Sequence, residues 1–429
     1  MARESEVPPA PVVAPPPTAR PRGGLPSLQT FEAIRNPAFR WLWFHTISYA
    51  LVQGMQRFAF VWLVLDISDR DAAAGIVAFC LGVPIFVFTL PAGVVADRVD
   101  RRLLLFGSQG TAIVVVSLTA ILIWTGLANL WVSYALALGI GATVAVGQPV
   151  RQAILPSLVD RKTLMNAIVL NTLGMNVTFI IGPALGGGSI ALLGIGGGFA
   201  VQAAILVVGF ILLIPLRIPP PGAGATEKRP LSDLRDGIGF VAHNRNIALL
   251  ILLLMLTGIF MMGPSTALIP QVAKENLGKE AFTASLLFTF TGVGMLTTSL
   301  WLASQRELKN KGAFFMFAVI AGGILIAAIG LSGIYLLTCF LMFLWGAGGG
   351  FFINLNQTLV QGNTPDNYMG RVMSIHTLGF LGFAPLGSLL SGGMAAAIGA
   401  SEWMAVSGTI LSCITVLIFL TQGQLRRME

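Results

Sequence analysis

Gly93-Val-Val-Ala-Asp97-Arg98-Val-Asp100-Arg101-Arg102 sets five ionisable side chains within six residues. The chain on either side is apolar, over 73–96 before this stretch and 103–126 after it. Each flank holds the ~20 residues with which a helix crosses a hydrocarbon core of about 30 Å. The charges therefore mark a turn in water between two spanning helices. Similar apolar runs recur at 39–66, 130–152, 163–192, 197–216, 246–270, 281–302, 313–333, 334–362, 367–398 and 402–422. Only 10% of the 429 residues are charged, against about 25% in a soluble domain. With a mean hydropathy of +0.82, the chain cannot cover soluble domains with polar surface. The expected fold is an all-α membrane protein of 12 transmembrane helices in two pseudo-symmetric six-helix bundles.

An even number of crossings puts both termini on one side. Of the 26 Lys and Arg residues, 22 fall on that side; Arg70, Lys274 and Lys279 fall opposite, and Arg57 lies inside the first run. Positive charge collects in cytoplasmic loops, so both termini are expected in the cytoplasm, with the protein multi-pass in a bacterial cytoplasmic membrane. The net charge of +8 is thereby accounted for without nucleic acid. Cys80, Cys339 and Cys413 form no CxxC pair, which argues against a disulfide framework or a metal site. Gly346-Ala-Gly-Gly-Gly350 has no Lys-Ser/Thr after it, so it is not a phosphate-binding loop. No nucleophile and base stand together, so neither an enzyme nor a cofactor is expected. The first 30 residues lack an apolar core followed by a cleavage site, so no cleaved leader is expected.

The chain divides into a proline-rich tail (1–30), a first bundle (31–216), a linker (217–245), a second bundle (246–422) and a short tail (423–429). The linker opens on Pro219-Pro-Pro221. It closes with Leu234, Ile238 and Val241 at helical spacing beside Asp233, Arg235 and Asp236, an amphipathic helix for a membrane surface. The two bundles echo each other. Gln148 precedes Pro156 by eight residues, as Gln357 precedes Pro365. A proline-glycine interruption follows in each, at Gly182-Pro183 and at Ala384-Pro385. Such a duplication is a common build for secondary transporters, with a site between the repeats.

The opening stretch resembles the signature loop of the major facilitator superfamily, G-x-x-x-D-R-x-G-R-[KR]. It matches at Gly93, Asp97, Arg98, Arg101 and Arg102 and departs at Asp100, where glycine is usual. Gly182-Pro183-Ala-Leu-Gly186-Gly187 resembles the core of that superfamily's antiporter motif, with Thr178 where a glycine is usual. Met55-Gln56-Arg57, Trp62-Leu-Val-Leu65 and Thr364-Pro365-Asp366, followed by Gly370-Arg371-Val372, resemble the bacterial transmembrane secretion effector permeases, the enterobactin-exporter-like subfamily that includes drug and macrolide efflux proteins. The resemblance implies a cytoplasmic latch at Gly93, Asp97, Arg98, Arg101 and Arg102 that meets the start of the eleventh helix near Gly370. It also implies a leak-limiting seal at Gly182, Pro183, Gly186 and Gly187, and antiport of protons.

Polar residues inside a membrane are costly and point to function. His45, Tyr49, Gln53 and Arg57 recur every four residues, flanked by Gln56, and form a stripe expected to face a cavity. Asn171 and Asn176 on the fifth run, and Asn354, Asn356 and Gln357 on the tenth, complete the expected pathway. Helix-to-helix hydrogen bonding is the competing role for each of them. Trp345 could stack on a ligand, whereas Trp403 reads as an interfacial anchor. All 18 acidic residues lie in loops, tails or run ends, Asp66 coming nearest the interior. If protons couple, His45, Asp66 and His376 are the candidates. The expected function is export of an amphipathic or hydrophobic small molecule of drug, macrolide or siderophore type by a monomer in the lipid bilayer. A lysophospholipid flippase and a membrane sensor or scaffold using the proline-rich tail are the alternatives.

Overall fold

A computed structural model describes residues 29–160, 163–216, 218, 230–305 and 310–428. The proline-rich tail and Pro219-Pro-Pro221 lie outside the described residues. Every regular element among the described residues is helical. A 3-10 helix, Gln29–Arg35, leads into α1 (Pro37–Ile67), α2 (Ala72–Arg98), α3 (Arg101–Trp124), α4 (Leu130–Leu158) and α5 (Leu164–Leu213). Then come α6 (Pro230–His243), α7 (Arg245–Thr257), a π-helical turn (Gly258–Met262) and α8 (Gly263–Glu275). The last elements are α9 (Ala281–Ser304), α10 (Lys311–Leu331), α11 (Tyr335–Gly362), α12 (Asp366–Ile398), α13 (Ala400–Thr421) and α14 (Gly423–Arg426).

Helix starts follow from local chemistry. Asn36 caps α1, its side chain accepting from the Ala38 and Phe39 amides, with Pro37 in the first turn, where a missing N–H costs nothing. Asp100 caps α3 by accepting from the Arg102 amide at 2.8 Å. That role explains the departure from glycine in the signature stretch.

Ten helices among the described residues are long and apolar enough to cross a membrane, and Ala72–Phe88 adds a shorter apolar one. The chain is a multi-pass, all-α membrane protein. α5 runs 50 residues, but Gly194 inside it has φ 73 and ψ 173, a conformation open to glycine and strained for other residues. The helix is thereby divided near the expected gap between 192 and 197. The run from Arg245 to Glu275 is interrupted by the π turn just before Gly263-Pro264.

One boundary is corrected. The fourth run was expected to end at 152, but α4 continues through Pro149 and Pro156 to Leu158. Neighbouring helices and bound side chains can re-satisfy the backbone groups that a proline frees inside a membrane protein.

Helix pairing repeats between the bundles. In the first, α1 packs along α5, α2 along α4, and α3 against α4 and α5. In the second, α7, the π turn and α8 pack along α12, α9 along α11, and α10 against α11 and α13. These are the same pairings six runs later. The bundles meet through α2 against α12 and through α5 against α9, two pairs that exchange under the same correspondence.

Each bundle also has a lead-in helix on the start of its fifth run. The 3-10 helix is held by the Ala33 amide donating to Asn166 Oδ1 at 3.0 Å. The expected amphipathic helix is α6, and it lies on α12: Phe240 stacks on Tyr368 with centroids 4.4 Å apart, and Arg371 pairs with Asp236 at 3.6 Å. Of its expected apolar face, Ile238 is exposed and Val241 half-buried, whereas the Leu234 side chain lies outside the described residues.

Candidate functional site

A central chamber of about 130 Å³ lies between the bundles. α1 and α5 contribute Gln53, Arg57, Thr178 and Phe179; the second bundle contributes Met261, Phe288, Met295, Trp345 and Phe380. The wall is apolar and polarisable, and methionines and aromatic rings adapt to varied shapes. Among the described residues, Arg57 is the one charged residue lining the chamber. Its guanidinium sits over the Phe179 ring at 4.9 Å, which offsets part of the cost of a cation removed from bulk water.

Two clefts lie on the side of the chamber nearer the termini, each built by one bundle. The first, about 300 Å³, is lined by Tyr49, Gln53, Gln148, Arg151, Gln152 and Asn171 among others. The second, about 220 Å³, includes Asn356, Gln357, His376 and Thr377. In the second cleft the Asn356 side-chain nitrogen donates to the Leu250 carbonyl at 3.2 Å. Its oxygen is left to accept from His376 Nε2 at 2.7 Å. Those bonds fix the Asn356 amide orientation and direct the second imidazole nitrogen elsewhere.

The opposite end is closed by contacts between the bundles. Gln271 Nε2 donates to Asp71 Oδ1 at 2.9 Å and to Glu275 Oε2 at 3.3 Å. Lys274 donates to the Leu65 carbonyl at 2.5 Å and lies 5.8 Å over the Trp62 ring. Gly75 abuts Ser388 and Gly392, and Gly187 abuts Ser285, with no room for a Cβ at either. Gly370 is different: a Cβ there would meet nothing within 4 Å.

The expected residues thus separate by place. Gln53 and Arg57 line the chamber; Tyr49 and Asn171 line the first cleft, and Asn356, Gln357 and His376 the second. His45 is fully buried beside α5, Nδ1 donating to the Gly209 carbonyl at 3.0 Å. Gln56 is buried, and Gln56, Asn176 and Asn354 line neither the chamber nor the two clefts. Asn354 donates instead to the Gly350 carbonyl at 2.7 Å. Asp66 is exposed at the closed end.

In the signature stretch, Arg101 donates to the Ala153 carbonyl at 3.4 Å and Arg102 to the Ile214 carbonyl at 3.1 Å. Gly93, Asp97 and Arg98 are on the last turns of α2, with side chains outside the described residues. In the expected seal, Gly182 packs on Gly54 and Leu51, and Gly186 on Met55, all within the first bundle, while Gly187 faces the second. Pro183 borders the chamber. Trp403 is no interfacial anchor, being buried with Nε1 donating to Ser391 at 3.0 Å.

The expected fourth run, 130–152, puts Arg151 at its end. The longer α4 draws it inside, where it is 7% exposed. Its guanidinium lies 3.7 Å over the Tyr49 ring centroid. Gly147, one turn earlier, leaves the room: a Cβ there would approach Arg151 Nη1 to 2.9 Å. A glycine four residues before an arginine on an apolar helix was the available signal.

A largely apolar chamber between two duplicated bundles, closed at one end, is the construction of a transporter of the major facilitator type. Residues 28–429 match the transmembrane secretion effector family, and the chain belongs to it. A staphyloferrin A transporter of Staphylococcus aureus is 27% identical over 395 residues, covering 90% of this chain and 96% of that protein. The enterobactin exporter EntS of Citrobacter koseri is 26% identical over 401 residues, covering 92% and 94%. In fold the chain is similar to the nucleoside transporter NupG, at a TM-score of 0.70 and 14% identity over 91% of this chain and 100% of that one. It is also similar to a bacterial homolog of the human lysosomal transporter Spinster, at a TM-score of 0.71 and 13% identity over 91% and 98%.

Proposed function

We propose that this transporter exports an amphipathic small molecule of siderophore type, driven by proton antiport across a bacterial cytoplasmic membrane. The observation that carries the reading is the chamber itself, mostly apolar and aromatic with a few hydroxyls and Gln53, and with Arg57 as its single charge among the described residues. Such a wall suits a bulky ligand that is mostly apolar and either neutral or acidic. A dication would meet repulsion and no acid. The two siderophore-handling relatives support the same class.

Twelve crossings, with α5 counted as two at Gly194, keep both termini on one side, and the Lys and Arg bias supports a cytoplasmic position for that side. The clefts then face the cytoplasm, and the Asp71–Gln271 contact closes the outer side. Export requires that contact to break while the first bundle's signature stretch closes on the start of α12. His376 and Asp66 remain the coupling candidates with solvent access; His45 would need the packing of α1 on α5 to loosen.

The test is accumulation of a catecholate siderophore in cells with and without this chain, before and after collapse of the proton gradient. Lower accumulation with the chain, lost on collapse, is expected. Equal accumulation in both strains overturns export, and efflux that survives collapse overturns proton coupling. Arg57→Ala is expected to cut efflux about tenfold, on the order of one charge-assisted contact.

A further inference from the structure

Two arginines border the route from the first cleft to the chamber. Each lies over an aromatic ring: Arg151 over Tyr49 and Arg57 over Phe179. Neither has an acidic partner among the described residues. Arg151 Nη1 is buried with no hydrogen-bond acceptor at all. A buried guanidinium with an unsatisfied N–H costs free energy that a ring face returns only in part. The polar and titratable groups around it come from three helices: His45 and Tyr49 on α1, Ser108 on α3, and Gln148 on α4. None of them is an acid.

The cleft and the chamber share Ala50, Gln53 and Met175 as a common wall. Tyr49 and Arg57 are eight residues apart on α1, about 12 Å along the helix. A molecule the size of an aromatic siderophore spans that interval. Among the described residues the second cleft has no arginine or lysine in its lining, so the cationic route belongs to the first bundle.

We propose that Arg151 and Tyr49 form an anion subsite at the mouth of the route, which holds the acidic group of an otherwise aromatic substrate before Arg57 receives it. The ligand chemistry is a carboxylate, catecholate or sulfonate attached to a ring system. The acid meets the guanidinium where Arg151 lines the cleft and draws the unpartnered Nη1 away from Gly147, and the ring replaces or extends the Tyr49 stack. This rests on the exporter reading for its use, but not for its detection.

The experiment compares two fluorescent probes of one scaffold, anilinonaphthalene sulfonate and neutral phenylnaphthylamine, binding to the full chain in nanodiscs, with empty discs subtracted. The readout is the ratio of the two dissociation constants within each variant. Arg151→Gln is expected to weaken the sulfonate about tenfold and leave the neutral probe unmoved. Arg151→Lys is expected to restore most of the difference. Gln148→Glu keeps Arg151 but sets a carboxylate one turn away, and should weaken the sulfonate alone by a similar factor. If one variant binds neither probe, the other decides. A ratio unchanged in Arg151→Gln or in Gln148→Glu overturns the subsite. A shifted ratio in a chain that leaves siderophore accumulation unaltered keeps the subsite and removes the exporter reading.

Discussion

The two clefts occupy matching places in the duplication, yet their chemistry differs. Gln148 lines one and Gln357 the other. Beside Gln148 stands a cation over a tyrosine; beside Gln357 stands His376, tied to Asn356. The seals follow the opposite rule. Gly75 meets Ser388 where α2 crosses α12, and Gly187 meets Ser285 where α5 crosses α9. Under the internal correspondence these are equivalent helix crossings, with the glycine on α2 in one and on α5 in the other. Repetition therefore builds the hinge surfaces, and substitution within the repeat builds the ligand chemistry.

The largest expected effect tests the symmetric part. Valine at Gly75 or at Gly187 has to push a helix of the other bundle away, since each glycine already touches backbone. Overpacking of this kind costs about 1–3 kcal/mol, and here it falls on the closed state alone. Flux in either variant should drop to about a tenth or less, with a cysteine introduced at Thr266 in the chamber wall becoming reachable by thiol reagents from the end that Asp71 and Gln271 close. Gly370→Ala, which meets open space, is the control and should bind ligand as the parent does. A tolerated Gly75→Val beside a crippled Gly187→Val would show that the two crossings are not equivalent.

The asymmetric part separates two histidines, one buried and one half-buried. His45→Ala removes a fully buried ring and its bond to Gly209. A loss of about 2–4 kcal/mol of stability is expected, read as a lower unfolding temperature in detergent, with ligand preference intact. His376→Ala leaves Asn356 Oδ1 without its donor and opens the second cleft. It should lower flux about threefold to tenfold with little change in unfolding temperature. Reversal of these two outcomes would exchange the roles assigned to the histidines.

Much of this arrangement was legible before any coordinates. Apolar runs, the Lys and Arg bias and the Gln–Pro repeats are one-dimensional signals, and they give helices, their approximate ends and the duplication. Rotation about a helix axis is weaker in a chain that is apolar on every side. The stripe from His45 to Arg57 turns slowly around α1, so its four members reach the packing against α5, the first cleft and the chamber in succession. Spacing alone gave them one face. Arg151 was misplaced for a different reason: Pro156 reads as a stop in water, whereas the helix continues through it inside a bundle. The closed end was unread because Asp71, Gln271 and Lys274 fall outside the apolar runs and show no role until two distant parts of the chain meet.

The smallest effects concern the lead-in helices, where the bundles are alike in plan and unlike in bonding. The first is held by an amide bond to Asn166 and by the burial of Ala33, the second by a ring stack and an ion pair on α12. The Asp236–Arg371 pair is largely solvated, its two side chains 56% and 35% exposed. Exposed pairs contribute about 0–1 kcal/mol, and salt screens them. The Phe240–Tyr368 stack buries apolar area as well and is worth about 0.5–1.5 kcal/mol beyond that area. Phe240→Ala should therefore loosen α6 more than Asp236→Asn does, seen as faster amide exchange over 235–243. The excess should persist in high salt, where the charge variant becomes indistinguishable from the parent. Equal loosening by the two variants at low salt, vanishing together as salt rises, would mean that charge and not the ring holds α6 on α12.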